Sequence, residues 1–270
     1  NLEQKVRRIE GLSSSVADIL NADKEQTERA AYLCKADLMT GMVGEFAGLQ
    51  GVMGHYYALE DGETKDVARG IAEHYAPAGP DDLCPTSAIS VAVSLADKLD
   101  TLVGFFGINE RPTGSRDPYG LRRAALGIIR VILENKINIQ LSWLVDKALQ
   151  QYQTEEIFGF DNPKKGLIEF FVDRLKVYLR TQGTRHDLVE AVAGSGDDNV
   201  LRLVQKSNSL ADFLSTEDGG NLLSAYKRAC NIVQIEEKRD DKKYGLRPVD
   251  EKKFKQKEET QLWEALVQLK

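Results

Sequence analysis

Apolar residues recur along this chain at spacings of three and four, and no stretch alternates with the period of two that a half-buried strand requires. The pattern predicts an all-α fold. Leu2, Val6 and Ile9 predict a first helix that stops near Gly11, with a second short one over residues 13–20. Ala30, Ala31, Cys34, Leu38, Met42 and Phe46 fall about four apart and predict one long buried helix over residues 24–46. The run Gly48, Leu49, Gln50, Gly51 ends it. Helices restart over residues 52–59 and over 63–75, the latter with Val67, Ile71 and His74 or Tyr75 on one side. Ala76 to Asp81, rich in Pro and Gly, reads as a loop. Residues 87–106 are apolar almost throughout, yet Asp97 and Asp100 sit inside that run. After a loop over 107–118, Leu121, Ala124, Ala125, Ile128 and Ile132 form the stripe of another helix, with Arg123, Gly127, Arg130 and Glu134 opposite.

A hydrophilic connection over residues 152–165 places a domain boundary near residue 155. The second half restarts on Leu167, Phe170, Phe171, Leu175, Tyr178 and Leu179, followed by short amphipathic helices over 187–193, 199–204, 210–214 and 221–233. Residues 236–257 carry nine basic and six acidic side chains. Such a segment reads as a solvated helix extension or a mobile insertion. Leu262, Trp263, Leu266 and Leu269 then form an apolar stripe that should pack.

Composition narrows the function classes. A 42% apolar and 29% charged chain of 270 residues is globular in character. No apolar run approaches the roughly 20 residues of a membrane span, and the start lacks a signal-peptide apolar region. Asn1 at the start and an amphipathic stretch ending at Lys270 suggest a piece of a longer protein. Cys34, Cys84 and Cys230 show no paired spacing, which argues against a zinc finger or disulfide framework and favours a reduced cytoplasmic setting. A net charge of −6 excludes a uniformly basic surface that grips nucleic acid indiscriminately. Local patches can still do so. Residues 111–136 hold six basic side chains against only Asp117 and Glu134.

Three blocks raise the question of metal chemistry. LCKADLMT, EHY and SLADKLD stand in the order and spacing of the histidine–aspartate (HD) phosphohydrolase superfamily, which the first half resembles. There, imidazoles and carboxylates together hold a divalent metal and acidify its water. By that resemblance Asp37 and Asp97 match the two aspartates and His74 a downstream histidine. Ala36 occupies the place of the paired histidine, and no histidine precedes His55. With two ligands missing, Asp37, His74 and Asp97 are expected to mark a vestigial site that holds no metal. A metal-dependent HD-type phosphohydrolase is the alternative reading. Asp97 and Asp100 can instead be paired within a helical core, with Lys98 or an arginine, and His55 and His74 can be packed, hydrogen-bonded rings.

Longer strings carry a second resemblance. KADLMTGMVGEFAGLQGVMGHYYA, ADKLDTLVGFFGI, PTGSRDPYGLRRAALGIIRVI, FFVDRLKVYLRTQGTRHDLVEAV and DFLSTEDGGNLLSAYKRACNIV are similar to the β subunit of bacterial two-subunit glycyl-tRNA synthetases. They cover most of residues 30–235. The resemblance implies an HD-like helical domain over 1–155 and a helical anticodon-binding-type domain over 156–270. It implies tRNA(Gly) as ligand, a class II α subunit as partner in a hetero-oligomer, and ATP and Mg2+ bound at that α subunit. No P-loop or class II ATP signature is visible, so this portion is expected to be non-catalytic and to serve tRNA binding and assembly.

Under that reading Arg111, Arg116, Arg122, Arg123 and Arg130 lie in a Gly/Pro loop and along the following helix, where guanidinium forks suit phosphate oxygens. Arg122 or Arg123 could equally clamp Asp97, Asp100 or Asp117 inside the fold. In the second half Arg174, Lys227 and Arg228 are the RNA-binding candidates. Tyr178 and Tyr226 fall on apolar stripes and are read as core rather than as stacking platforms.

Overall fold

The computed structural model describes residues 1–152, 163–244, 249 and 251–268. Among them run the helices α1 (Leu2–Leu20), α2 (Lys24–Leu33), α3 (Gly41–Glu45), α4 (Val52–Glu60), α5 (Lys65–Glu73), α6 (Ala88–Gly107), α7 (Leu121–Glu134), α8 (Leu141–Gln151), α9 (Lys164–Thr181), α10 (His186–Ala193), α11 (Val200–Ser215), α12 (Glu217–Arg239) and α13 (Lys257–Gln268). Short 3-10 turns occupy Ala36–Met39, Ala47–Leu49 and Glu251–Lys253. The described residues contain isolated bridges but no strand. The fold is all-α, as the periodicity predicts. No described helix is long and apolar enough to cross a membrane.

Two compact units divide the chain, Asn1–Ala211 and Asp212–Lys270. The boundary expected near residue 155 falls on residues 153–162, outside those described. In the first unit α6 is the hub, with α1, α2, α5, α7, α8 and α9 packed around it. Fifteen of its 20 residues are buried, so the charges it carries cannot reach bulk water and must be matched from neighbouring helices. Phe171, Leu175 and Leu179 of α9 enter the same apolar cluster as Leu95, Leu99 and Ile132.

Two predicted boundaries differ from the observed ones. The first helix continues through Gly11 to Leu20, because that glycine is a contact and not a break. A Cβ there would collide with the Gln151 side chain at the end of α8. The helix predicted over residues 24–46 is instead broken into α2, a 3-10 turn and α3. Asp37 causes the interruption by turning its carboxylate onto the backbone N–H groups of Gly51 (2.6 Å) and Gly54 (3.1 Å). Thr40 Oγ then accepts from Val43 N at the start of α3. Met42 and Phe46, predicted in the buried stripe, are consequently exposed.

In the second unit α12 is capped by Thr216 and buries only Gly219. It continues to Arg239, so part of the charged segment is a helix extension. Tyr226, predicted as core, is 65% exposed. Leu262 and Leu266 of α13 are exposed too, against the expectation that they pack. Leu269 lies outside the described residues.

Candidate functional site

A buried network of charge occupies the middle of the first unit. Lys35, on the link between α2 and the 3-10 turn, is 5% exposed and points its ammonium at Asp97 Oδ2 (3.0 Å) and His74 Nε2 (2.8 Å). It also lies 3.8 Å from the Tyr75 ring centroid, a favourable cation–π position. Lys5 of α1 reaches the other Asp97 oxygen at 3.1 Å and Asp100 Oδ2 at 3.1 Å. Arg8, one turn on, forks onto both Asp100 oxygens at 2.6 and 3.3 Å.

This geometry fixes protonation. Burial pushes the His74 pKa down to about 3, with the Lys35 charge adding to the effect. A neutral His74 accepts from Lys35 at Nε2 and donates from Nδ1 to the Ile71 carbonyl at 2.6 Å. Burial alone would raise Asp97, but Lys5 and Lys35 together hold it well below the carboxylate range. Lys98, adjacent in sequence, turns away. It donates to the carbonyls of His74, Tyr75 and Ala76 at 3.1, 3.0 and 2.8 Å, satisfying the C-terminal end of α5. Burial lowers its pKa to about 8.

Of the positions expected at a metal site, His74 and Asp97 are thus brought together, but around an ammonium. A divalent cation placed between them would face Lys35 and Lys5 at contact distance. Asp37 is spent differently, on the turn entering α4. Among the described residues no group of three His, Cys, Asp or Glu side chains is arranged to hold a metal ion. Asp37 Oδ1 is buried without a hydrogen-bond partner among them.

The arginine candidates separate into two kinds. Arg130 is committed internally: it donates to the carbonyls of Gly79 (3.1 Å), Pro80 (2.8 Å) and Asp82 (2.7 Å) and pairs with Glu134. Arg122 donates to the Gly114 carbonyl at 2.7 Å. Asp117 accepts from the backbone N–H groups of Leu121 and Arg122 at the start of α7. The alternative in which Arg122 or Arg123 clamps Asp97 or Asp100 does not hold, because Lys5, Arg8 and Lys35 already do so.

The side chains of Arg116 and Arg123 are exposed and make no hydrogen bond or ion pair among the described residues, while Arg111 lies over the Phe106 ring at 5.5 Å. Arg123 and Arg130 also line a groove of about 630 Å3 with Leu126, Val177 and Tyr178. Tyr178 is half-buried there. Arg174 is half-buried against Phe170, at 5.6 Å. Lys227 and Arg228 belong to the second unit and are exposed on α12.

Sequence reasoning passed over Lys5, Arg8 and Lys35. A signal existed: two aspartates in an apolar helix demand cations, and Lys35 stands two residues before Asp37 in the block singled out for its metal-ligand order.

The description "Glycyl-tRNA synthetase beta subunit" belongs to the family model that matches residues 1–194. Among curated proteins, the chain is 47% identical over 269 residues to the glycine–tRNA ligase beta subunit of Rhodospirillum centenum, covering 97% of this chain and 37% of that protein. It is 48% identical over 239 residues to the corresponding protein of Phenylobacterium zucineum, covering 87% of this chain and 33% of that one. For Paracoccus denitrificans the figures are 46% over 263 residues, 97% and 37%. The chain therefore spans about a third of the length of the curated relatives it matches.

Proposed function

The chain belongs to the glycyl-tRNA synthetase beta-subunit family, and from that membership we propose that it handles tRNA and supports assembly within a glycine–tRNA ligase. In this reading it is non-catalytic and acts in the cytoplasm. ATP-dependent glycylation of tRNA(Gly) takes place on the α subunit, which binds ATP, glycine and Mg2+. Residues up to about 155 serve as an HD-like scaffold, and the remainder as an anticodon-binding type of module.

The observation that carries the RNA assignment is the pair of exposed guanidiniums, Arg116 and Arg123, left without partners among the described residues. Several other guanidiniums of the first unit are matched by carboxylates: Arg8 by Asp100, Arg29 by Glu63, Arg69 by Glu73 and Arg202 by Asp197. Arg123 also edges a groove walled by Leu126, Val177 and Tyr178. An apolar wall with a phenol ring beside a cation suits an unstacked base and its phosphate. Arg130, by contrast, positions the loop below that groove. The buried Lys35–Asp97–His74 network supports a structural role for the residues of the HD-like order.

The test is tRNA(Gly) binding by the full-length β subunit with its α subunit, comparing wild type with an Arg111→Glu, Arg116→Glu, Arg123→Glu variant across a salt titration. Each lost phosphate contact removes about 0.7–0.9 from the slope of log affinity against log salt. We expect at least a tenfold loss at low salt and a slope shallower by about two. Equal affinity and slope in a folded variant would reject the assignment.

A further inference from the structure

The surface formed by the first 3-10 turn, α3 and α4 has a composition at odds with water. Met39 is 81% exposed, Phe46 57% and Tyr56 62%, with Met42, Val52 and Leu59 also open. Val52, Tyr56 and Leu59 lie at i, i+4 and i+7, so they share the outer face of α4. The inner face carries Gly54 and Ala58, which are buried. A helix that is apolar on both sides is normally covered on both sides. Contiguous exposed apolar side chains of this number mark an interaction surface.

Charge identifies what covers it. Residues 36–64 contain Asp37, Glu45, Glu60, Asp61 and Glu63 and no lysine or arginine. That field disfavours a phosphate backbone, and a second copy of the same patch would set acid against acid. Beside the patch, Asp37, Thr40, Tyr57, Glu60 and Asp61 line a pocket of about 450 Å3 together with Arg29, whose charge is matched by Glu63, so the acids of the pocket stay in excess. Asp37 is 2% exposed, and its Oδ1 finds no donor among the described residues. A buried carboxylate oxygen without a donor is costly, and a cationic side chain entering the pocket would satisfy it.

We infer that this face docks an apolar protein segment flanked by lysine or arginine, contributed by the partner subunit of the synthetase. The inference deepens the assembly part of the proposed function and rests on it, but it uses residues remote in sequence from the RNA-binding arginines.

Two variants of the full-length β subunit test it: Phe46→Glu with Tyr56→Glu, and Glu60→Lys with Asp61→Lys. Affinity for separately purified α subunit is read by sedimentation or surface binding, beside the melting temperature of β alone and its tRNA affinity. The expected result is at least a tenfold loss of α affinity for both variants, the second greatest at low salt, with β melting unchanged. Should the first variant fail to fold, the charge reversal decides alone. Unchanged α affinity overturns the inference, whether accompanied by a lower β melting temperature (a face covered by the chain's own segments) or by lost self-association (a face covered by a second copy). Weakened tRNA binding with intact α affinity overturns it as well, whereas failure of the arginine variant to affect tRNA leaves it standing.

Discussion

Replacing Lys35 by methionine keeps most of the side-chain stem and removes the charge at the centre of the buried network. Asp97 Oδ2 loses a partner at 3.0 Å, and His74 Nε2 a donor at 2.8 Å. Breaking a buried ion pair from one side costs about 3–5 kcal/mol. Lys5 still faces Asp97 from 3.1 Å, which places the expected loss near the lower end, about 3 kcal/mol. With a urea dependence of up to about 3 kcal/mol per molar, the midpoint at pH 7.5 should fall by about 1 M. The pH dependence supplies an independent check. In the wild type His74 stays neutral in the fold to about pH 3, whereas the unfolded chain takes up that proton near 6.5. Its contribution is fully present above 6.5 and is lost as pH falls toward 3. Without Lys35, His74 keeps the attraction of Asp97 and loses a repulsion, so its pKa rises. The stability gap between variant and wild type should then narrow between about pH 6.5 and pH 4. Urea unfolding across that range, with the His74 ring titration followed by NMR, measures both effects. A loss under about 1 kcal/mol at pH 7.5, or a His74 titration that does not move upward, would refute the reasoning.

Gly54→Ala would set a methyl 2.7 Å from Ile71 Cγ2 and 3.1 Å from Asp37 Oδ2, so thermal unfolding should show a loss of about 1–3 kcal/mol from overpacking. Arg130→Ala removes three carbonyl contacts to residues 79–82. Limited proteolysis should then cut that loop faster, and stability should fall by about 1–3 kcal/mol.

Much of the first unit was legible because its helices bury one continuous stripe each. Residues 87–106 and 121–132 matched α6 and α7 closely, since the outside group that takes up their backbone N–H donors, Asp117, does so at the start of α7 and leaves the helix interior intact. The stretch from Lys24 to Phe46 was not legible in the same way. Its apolar spacing is helical, but Asp37 accepts from residues 14 and 17 positions ahead, a non-local capture that periodicity does not register. Gly11 looked like a terminator because its need for a missing side chain arises from α8, far along the chain. Among the candidate site residues, the closeness of His74 and Asp97 was suggested by their order, while the ammonium that each of them contacts was not, because ligand patterns direct attention to imidazole and carboxylate. Arg130 sits on the polar side of its helical wheel, and only the fold brings the carbonyls of residues 79–82 over it.

Lys35 also bears on how this protein meets its surroundings. A cation tethered by its own backbone is present at one per chain in every molecule, is not exchanged, and does not compete with chelators or scarce nutrients. The helices around it are thus held by a counter-charge supplied through translation itself, and the hazard that this network faces is acid, which protonates His74.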